Sequence, residues 1–168
     1  MAMLDQSTSE QRRAPLYTAA QRIRRDSTPW TLVQGVLAPV QFLVFLISLG
    51  LVIRYLMTGS GLEIATASIV LKTLILYTIM ITGAIWEKVV FGKYLFADAF
   101  FWEDAFSMIV IALHTFYLVL LLGGIGSPEL QLAVALAGYA AYVINAGQFI
   151  WKLRLARLET THTQGAAA

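Results

Sequence analysis

The sequence predicts an all-α integral membrane protein, a four-helix bundle with both termini on the cytoplasmic side. Three observations carry that prediction. Of 168 residues, 58% are hydrophobic and only 13% charged, against about 45–50% and about 25% in soluble domains. Four apolar runs, at about 31–55, 62–86, 104–122 and 129–151, are each long enough to cross roughly 30 Å of hydrocarbon as a helix. Basic residues gather at one end of that pattern: Arg12, Arg13, Arg22, Arg24 and Arg25 before the first run, Lys88 and Lys93 between the second and third, and Lys152, Arg154 and Arg157 after the fourth. Cytoplasmic flanks accumulate Lys and Arg, so the termini and the segment 87–103 are expected in the cytoplasm.

Each boundary has a local cause. Residues 1–29 form a basic cytoplasmic tail without the apolar core of a signal peptide, read as retained. A short amphipathic helix around Leu16 to Arg25 is expected within it, Leu16, Ile23 and Tyr17 touching lipid, with a solvated arm as the alternative. The transmembrane domain follows over 30–152, opened by SerThrPro. ThrGlySerGly separates the first two spans and GlyGlyIleGlySerPro the last two, with Pro128 placed to begin a helix. Both loops are short, which makes the flanking helices antiparallel neighbours. Residues 153–168 are a second cytoplasmic tail, in which His162 is an ordinary polar residue. Arg54 is expected to snorkel outward or to pair with Glu63 across the first hairpin. Ala133, Ala137 and Ala141, four apart, are expected to let a neighbouring helix approach closely.

Polar side chains inside apolar spans are costly, so each needs an account. Glu103, Ser107, Val110 and His114 are spaced four, three and four and share one helix face. Glu103 and His114 lie roughly 16 Å apart along the axis, so they share a wall without touching. Gln34 and Gln41 on the first span, and Tyr142, Asn145 and Gln148 on the fourth, stand at comparable depths. These amides either glue helices by hydrogen bonds or line a cleft open to the cytoplasm. On this reading the outer half of the bundle is almost pure hydrocarbon. Lys72, roughly 15 Å into the second span, either snorkels to an interface or turns inward toward something anionic, and the inward role is preferred.

Between the second and third spans, EKVVFGKYLFADAFFWED mixes the carboxyl groups of Glu87, Asp98, Glu103 and Asp104 with six aromatics, Trp102 among them. Interfacial anchoring explains several aromatics but not the crowd of acids. Carboxyl groups near one another and near apolar rings tend to hold a proton at neutral pH, as a general acid must. With no cysteine, thiolate chemistry and Cys-ligated metals are excluded. Two histidines and no HExxH spacing argue against haem or di-iron centres built on the chain's own ligands. The formal charge of +2 is too small for a nucleic-acid binder.

The runs WTLVQGVLAPVQFLVFLISL (30–49), GAIWEKVVFGKYLFADAFFWED (83–104), ALHTFYL (112–118) and NAGQF (145–149) resemble the 3-vinyl bacteriochlorophyllide (chlorophyllide a) hydratase family of bacteriochlorophyll biosynthesis. The likeness runs from about Leu16 to Leu158, and the aromatic and acidic block is its most specific part. The resemblance implies a hydro-lyase in the inner membrane of a phototrophic bacterium, cytoplasmic or intracytoplasmic, adding water to the C3 vinyl group of a Mg-containing chlorophyllide to give a 1-hydroxyethyl group. It implies no cofactor and no metal of the protein's own. Glu103 is then the leading proton donor, Glu87 its rival, and Asp104 a partner that orients water. His114 either ligates the substrate's Mg or orients water, and Lys88, Lys93 or Arg25 could meet the pigment's propionate. Gln34, Gln41, Ser107, Asn145, Gln148, Trp102 and Lys72 complete the candidate substrate-binding set. Membrane lipid is a partner in any case, and a thin four-helix bundle could enclose a macrocycle as a homo-oligomer or beside another pigment-pathway membrane protein. Two other classes compete: a non-catalytic pigment carrier or assembly factor, and a small transporter with Lys72 and His114 on an ion path.

Overall fold

A computed structural model describes residues 16–165, with side chains for 16–155 and for Arg157. The described residues form five helices and no strand: α1 (Ala19–Ser27), α2 (Pro29–Thr58), α3 (Leu62–Phe91), α4 (Phe101–Leu122) and α5 (Pro128–Gly165). Four of them, α2, α3, α4 and Pro128–Leu155 of α5, are long and apolar enough to cross a membrane. The helices outrun the expected spans. α3 continues from 86 to Phe91 and α4 begins at Phe101, so Glu87, Glu103 and Asp104 stand on helices, and the connection between them shrinks to residues 92–100.

Helix ends follow from capping chemistry. Thr18 and Gln21 form a reciprocal capping box at the start of α1, satisfying two otherwise orphaned groups. Thr28 caps α2, with Pro29 in the first turn where its missing N–H costs nothing. Gly59 and Gly92 close α2 and α3 in the left-handed region, at φ 68° and 86°, where a side chain would be strained.

The surface pattern is inverted relative to a soluble domain. Leu43, Ile81 and Leu122 are more than half exposed, whereas Gln41, Ser48, Lys72, Thr73, His114 and Asn145 are buried. Water would penalise that exterior, and lipid does not. The bundle consists of two antiparallel hairpins, α2 with α3 and α4 with α5, whose backbones approach closely within each pair and far less between pairs. Large side chains fill the seam between hairpins: Phe45 lies 5.4 Å from Tyr139 and 5.1 Å from Tyr142 between ring centroids.

Three expectations are corrected and the Arg54 alternative is decided. Tyr17 is 4% exposed; it stacks on Phe91 at 5.7 Å and lies under Arg25, so α1 docks on the bundle as well as offering Ile23 outward. Arg24 anchors it, donating from both Nε and Nη2 to the carbonyl of Val90 at the end of α3. Of the two alternatives for Arg54, the outward one fits: Arg54 and Glu63 are both exposed and no bridge joins them among the described residues. Ala133 and Ala137 face outward. Close approach is made instead by Gly138, where an added Cβ would meet the His114 ring at 2.9 Å. The far half of the bundle, finally, is not pure hydrocarbon. Ser68 donates to the carbonyl of Ala65, so it accepts from Ser48, which in turn accepts from Tyr139. That order gives each hydroxyl proton one acceptor.

Candidate active site

The acids converge where α3 ends and α4 begins. Glu87 occupies the last turns of α3, and Glu103 and Asp104 the first turn of α4, where the helix N-terminus favours negative charge. All three are at least nine-tenths buried. The 92–100 connection folds over them as a strap, and two consecutive backbone N–H groups point inward: Phe96 N donates to Asp104 Oδ2 at 2.7 Å, and Ala97 N to Glu87 Oε2 at 3.3 Å. Phe96 reaches this geometry at φ 58°, an unfavourable conformation for a bulky residue that persists only where the surroundings impose it. Its ring packs 5.6 Å from Phe101.

Phe96 and Ala97 are consecutive, so the strap seats the Asp104 and Glu87 carboxyl groups beside each other. Two ionised carboxylates have no donor between them. Buried side by side, the two groups favour one shared proton over two negative charges. An apolar wall stands beside the pair, built from Val90, Tyr17, Trp86, Phe91, Phe100 and Phe149. Trp86 is fixed by its own indole N–H, which donates to Thr31 Oγ1 at 2.9 Å.

Glu103 has a different environment. Lys152 Nζ donates to its Oε2 at 2.6 Å, a charge-assisted contact that occupies the carboxyl group as an acceptor. Its backbone carbonyl accepts from Asn145 Nδ2 and Ser107 Oγ, both at 2.8 Å, and Ser107 Oγ also lies 3.2 Å from Asn145 Oδ1. Glu103, Ser107, Asn145 and Lys152 thus tie α4 to α5.

The shared face of α4 is confirmed, with Glu103, Ser107, Val110 and His114 all buried. His114 meets Lys72 rather than an acid. Its Nδ1 lies 2.8 Å from the Val110 carbonyl and must carry the ring proton, leaving Nε2 to accept from Lys72 Nζ at 2.9 Å. Lys72 is 0% exposed and also lies over the rings of Tyr142 and Tyr139, at 4.3 and 5.0 Å. The inward orientation of Lys72 is as expected, but its neighbours are neutral.

The remaining candidates divide. Gln34 bonds to Thr82 Oγ1 at 2.7 Å and fastens α2 to α3. Gln41 is buried with both amide atoms unpartnered, and Gln148 with its Oε1 unpartnered. Trp102 is 68% exposed, on the outside near Phe96 and Phe101. Lys88 and Lys93 are exposed at the strap, Lys88 bonding to the Gly92 carbonyl and Lys93 to Asp98. Lys152 and Tyr139 escaped the sequence reading, although the signal was there: 139, 142, 145, 148 and 152 continue one stripe along α5 at spacings of three and four.

Fold and site together define a multi-pass helical membrane protein whose buried carboxyl pair sits under an aromatic wall at one end of the bundle. The family model for 2-vinyl bacteriochlorophyllide hydratase matches residues 17–155. A 2-vinyl bacteriochlorophyllide hydratase of Cereibacter sphaeroides is 69% identical over 150 residues, covering 89% of this chain and 92% of the relative. One of Rhodobacter capsulatus is 67% identical over 148 residues, covering 88% and 85%. The chain belongs to the 2-vinyl bacteriochlorophyllide hydratase family. No solved structure matches it.

Proposed function

We propose that this chain hydrates the vinyl group of a chlorophyllide-type pigment to a 1-hydroxyethyl group, with Glu87 and Asp104 as the acid and base of one cycle. The proton shared by the pair passes to the terminal vinyl carbon. The resulting cation on the inner carbon is delocalised into the macrocycle, water adds there, and the proton that water loses returns to the pair, so the enzyme ends as it began. No redox step occurs. The observation that carries this reading is the seating of two buried carboxyl groups on consecutive strap N–H donors.

The same geometry moves the donor role away from Glu103, whose ion pair with Lys152 makes it a positioning residue for the α4 and α5 ends. His114 offers its Nε2 lone pair to Lys72, so axial ligation of the substrate's Mg would require Lys72 to withdraw. Phe96, Phe101 and Trp102, exposed on the outer side of the strap, give a planar pigment an aromatic edge along which to enter from lipid. The basic end, with both termini and the strap, faces the cytoplasm in this proposal, and the membrane is the bacterial inner membrane.

The test is expression in a host lacking the hydratase, feeding of a vinyl chlorophyllide, and chromatography of the pigments. A hydroxyethyl product that vanishes with Glu87→Gln is expected. Binding without turnover would replace the enzyme with a carrier.

A further inference from the structure

Two costly features of the seam between the hairpins take no part in the chemistry just described. Lys72 is wholly buried in the middle of a membrane-crossing helix, and no carboxylate lies within 4 Å of it among the described residues. Its one hydrogen-bond partner is a neutral imidazole, and tyrosine faces stabilise a cation without neutralising it. Gln41 is 1% exposed, and both its N–H2 and its carbonyl lack partners. Buried amides are almost always satisfied, more stringently still where no bulk water is at hand.

The two features are neighbours. Ser48 pairs with Ser68, and Gln34 with Ile79 and Thr82; seven residues from either contact, this antiparallel register brings Gln41 level with 72–75 on α3. Gln41 also precedes Phe45 by one helical turn on the buried face of α2. Phe45 packs on Tyr142, the ring that Lys72 overlies. A buried amine with no anionic partner and an unpartnered amide donor therefore occupy one depth of the seam, walled by aromatic rings.

We propose that this region of the seam is a receptor for a carboxylate carried on an apolar body, Lys72 supplying the charge and Gln41 an N–H donor. The chemistry needed is that of a hydrophobic acid: an anion to compensate Lys72 and a greasy frame able to wedge between helical hairpins whose backbones are not in close contact. Resting on the function proposed above, that carboxylate is the free acid arm of the pigment. Gln41 lies about 12 to 15 residues, roughly 18–22 Å of helix, from the level of Glu87, with both side chains leaning toward each other because each Cα–Cβ bond tilts to its own helix N-terminus. A pigment anchored by its acid in mid-seam would thus present its far edge toward the acid pair.

The test is a binding titration, by pigment absorbance and fluorescence, of a vinyl Mg-chlorin as its free acid and as its methyl ester. Wild type and the variants Lys72→Met, Gln41→Leu, Lys88→Gln and Lys93→Gln would be compared in lipid nanodiscs. Wild type should prefer the free acid by about tenfold or more, equivalent to about 1.4 kcal/mol. Lys72→Met should erase the preference by weakening the acid to the level of the ester. Gln41→Leu should reduce it severalfold and raise the melting temperature of the pigment-free protein, because it deletes an unpartnered amide. If Lys72→Met fails to fold, Gln41→Leu decides. The rim variants should keep the preference. Equal binding of acid and ester by wild type would overturn the proposal, as would a preference undiminished in Gln41→Leu or one that disappears in Lys88→Gln or Lys93→Gln. Preference without any hydroxyethyl product would uphold the receptor and refute the hydratase reading, so the two fail separately.

Discussion

The strap-covered acid end and the mid-membrane seam are both buried and polar, yet they treat their polar groups in opposite ways. At the acid end each of the three buried carboxyl groups has an assigned partner: Asp104 and Glu87 take consecutive backbone N–H groups, and Glu103 takes Lys152. In the seam Lys72 has no anion and Gln41 no partner at all. A fully satisfied network is rigid and holds its geometry before substrate arrives, whereas an incompletely satisfied one carries a cost that a ligand can relieve. Under the two proposals above, the difference separates a region that performs chemistry from one that receives a ligand.

The largest effect expected from breaking this contrast is on turnover. Glu87→Gln or Asp104→Asn should each lower the hydration rate by about 100- to 10,000-fold, the usual range for loss of a general acid or base. Glu103→Gln should stay within about tenfold. Initial rates of hydroxyethyl product formation check this, and a collapse confined to Glu103→Gln would reverse the assignment. Next comes Gly138→Val, whose Cβ would lie 2.9 Å from the His114 ring. Overpacking of this kind costs about 1–3 kcal/mol, visible as a lower melting temperature in detergent. Lys152→Met should destabilise by about 1–2 kcal/mol, less than a wholly dry pair would lose because Lys152 keeps a quarter of its side chain exposed. Combining it with Glu103→Gln should recover some of that loss, as the double-mutant cycle would show. Smallest of all is Ala137→Leu, on the outward face of α5, which should change stability by no more than about 0.5 kcal/mol.

Sequence reading reached far into the fold because the dominant force in it is legible residue by residue. The four apolar runs, their turn chemistry at Gly59 and Pro128, and the single polar face of Glu103, Ser107, Val110 and His114 all appear in the helices. Partnerships were not legible in this way. Lys72 and His114 lie 42 positions apart and Lys152 and Glu103 lie 49 apart, and neither spacing nor composition says which helices meet. For that reason Glu103 looked like a free acid and Lys152 like a topology signal. Nor could the alanine series announce its direction: Ala133, Ala137 and Ala141 have the right spacing for a contact face, but the stripe actually turned inward runs through Ala135, Gly138 and Tyr142. Strap geometry was beyond reach too, since nothing about a phenylalanine signals that Phe96 will adopt a positive φ to aim its N–H at Asp104.

The central claim is that Glu87 and Asp104 hold one proton between them, and infrared difference spectroscopy of the carbonyl stretch of protonated carboxyl groups reads it without any substrate. At neutral pH the wild-type protein should show such a band that Glu87→Gln and Asp104→Asn each shift or abolish while Glu103→Gln leaves it in place. A band absent from wild type, or one removed only by Glu103→Gln, would contradict the claim.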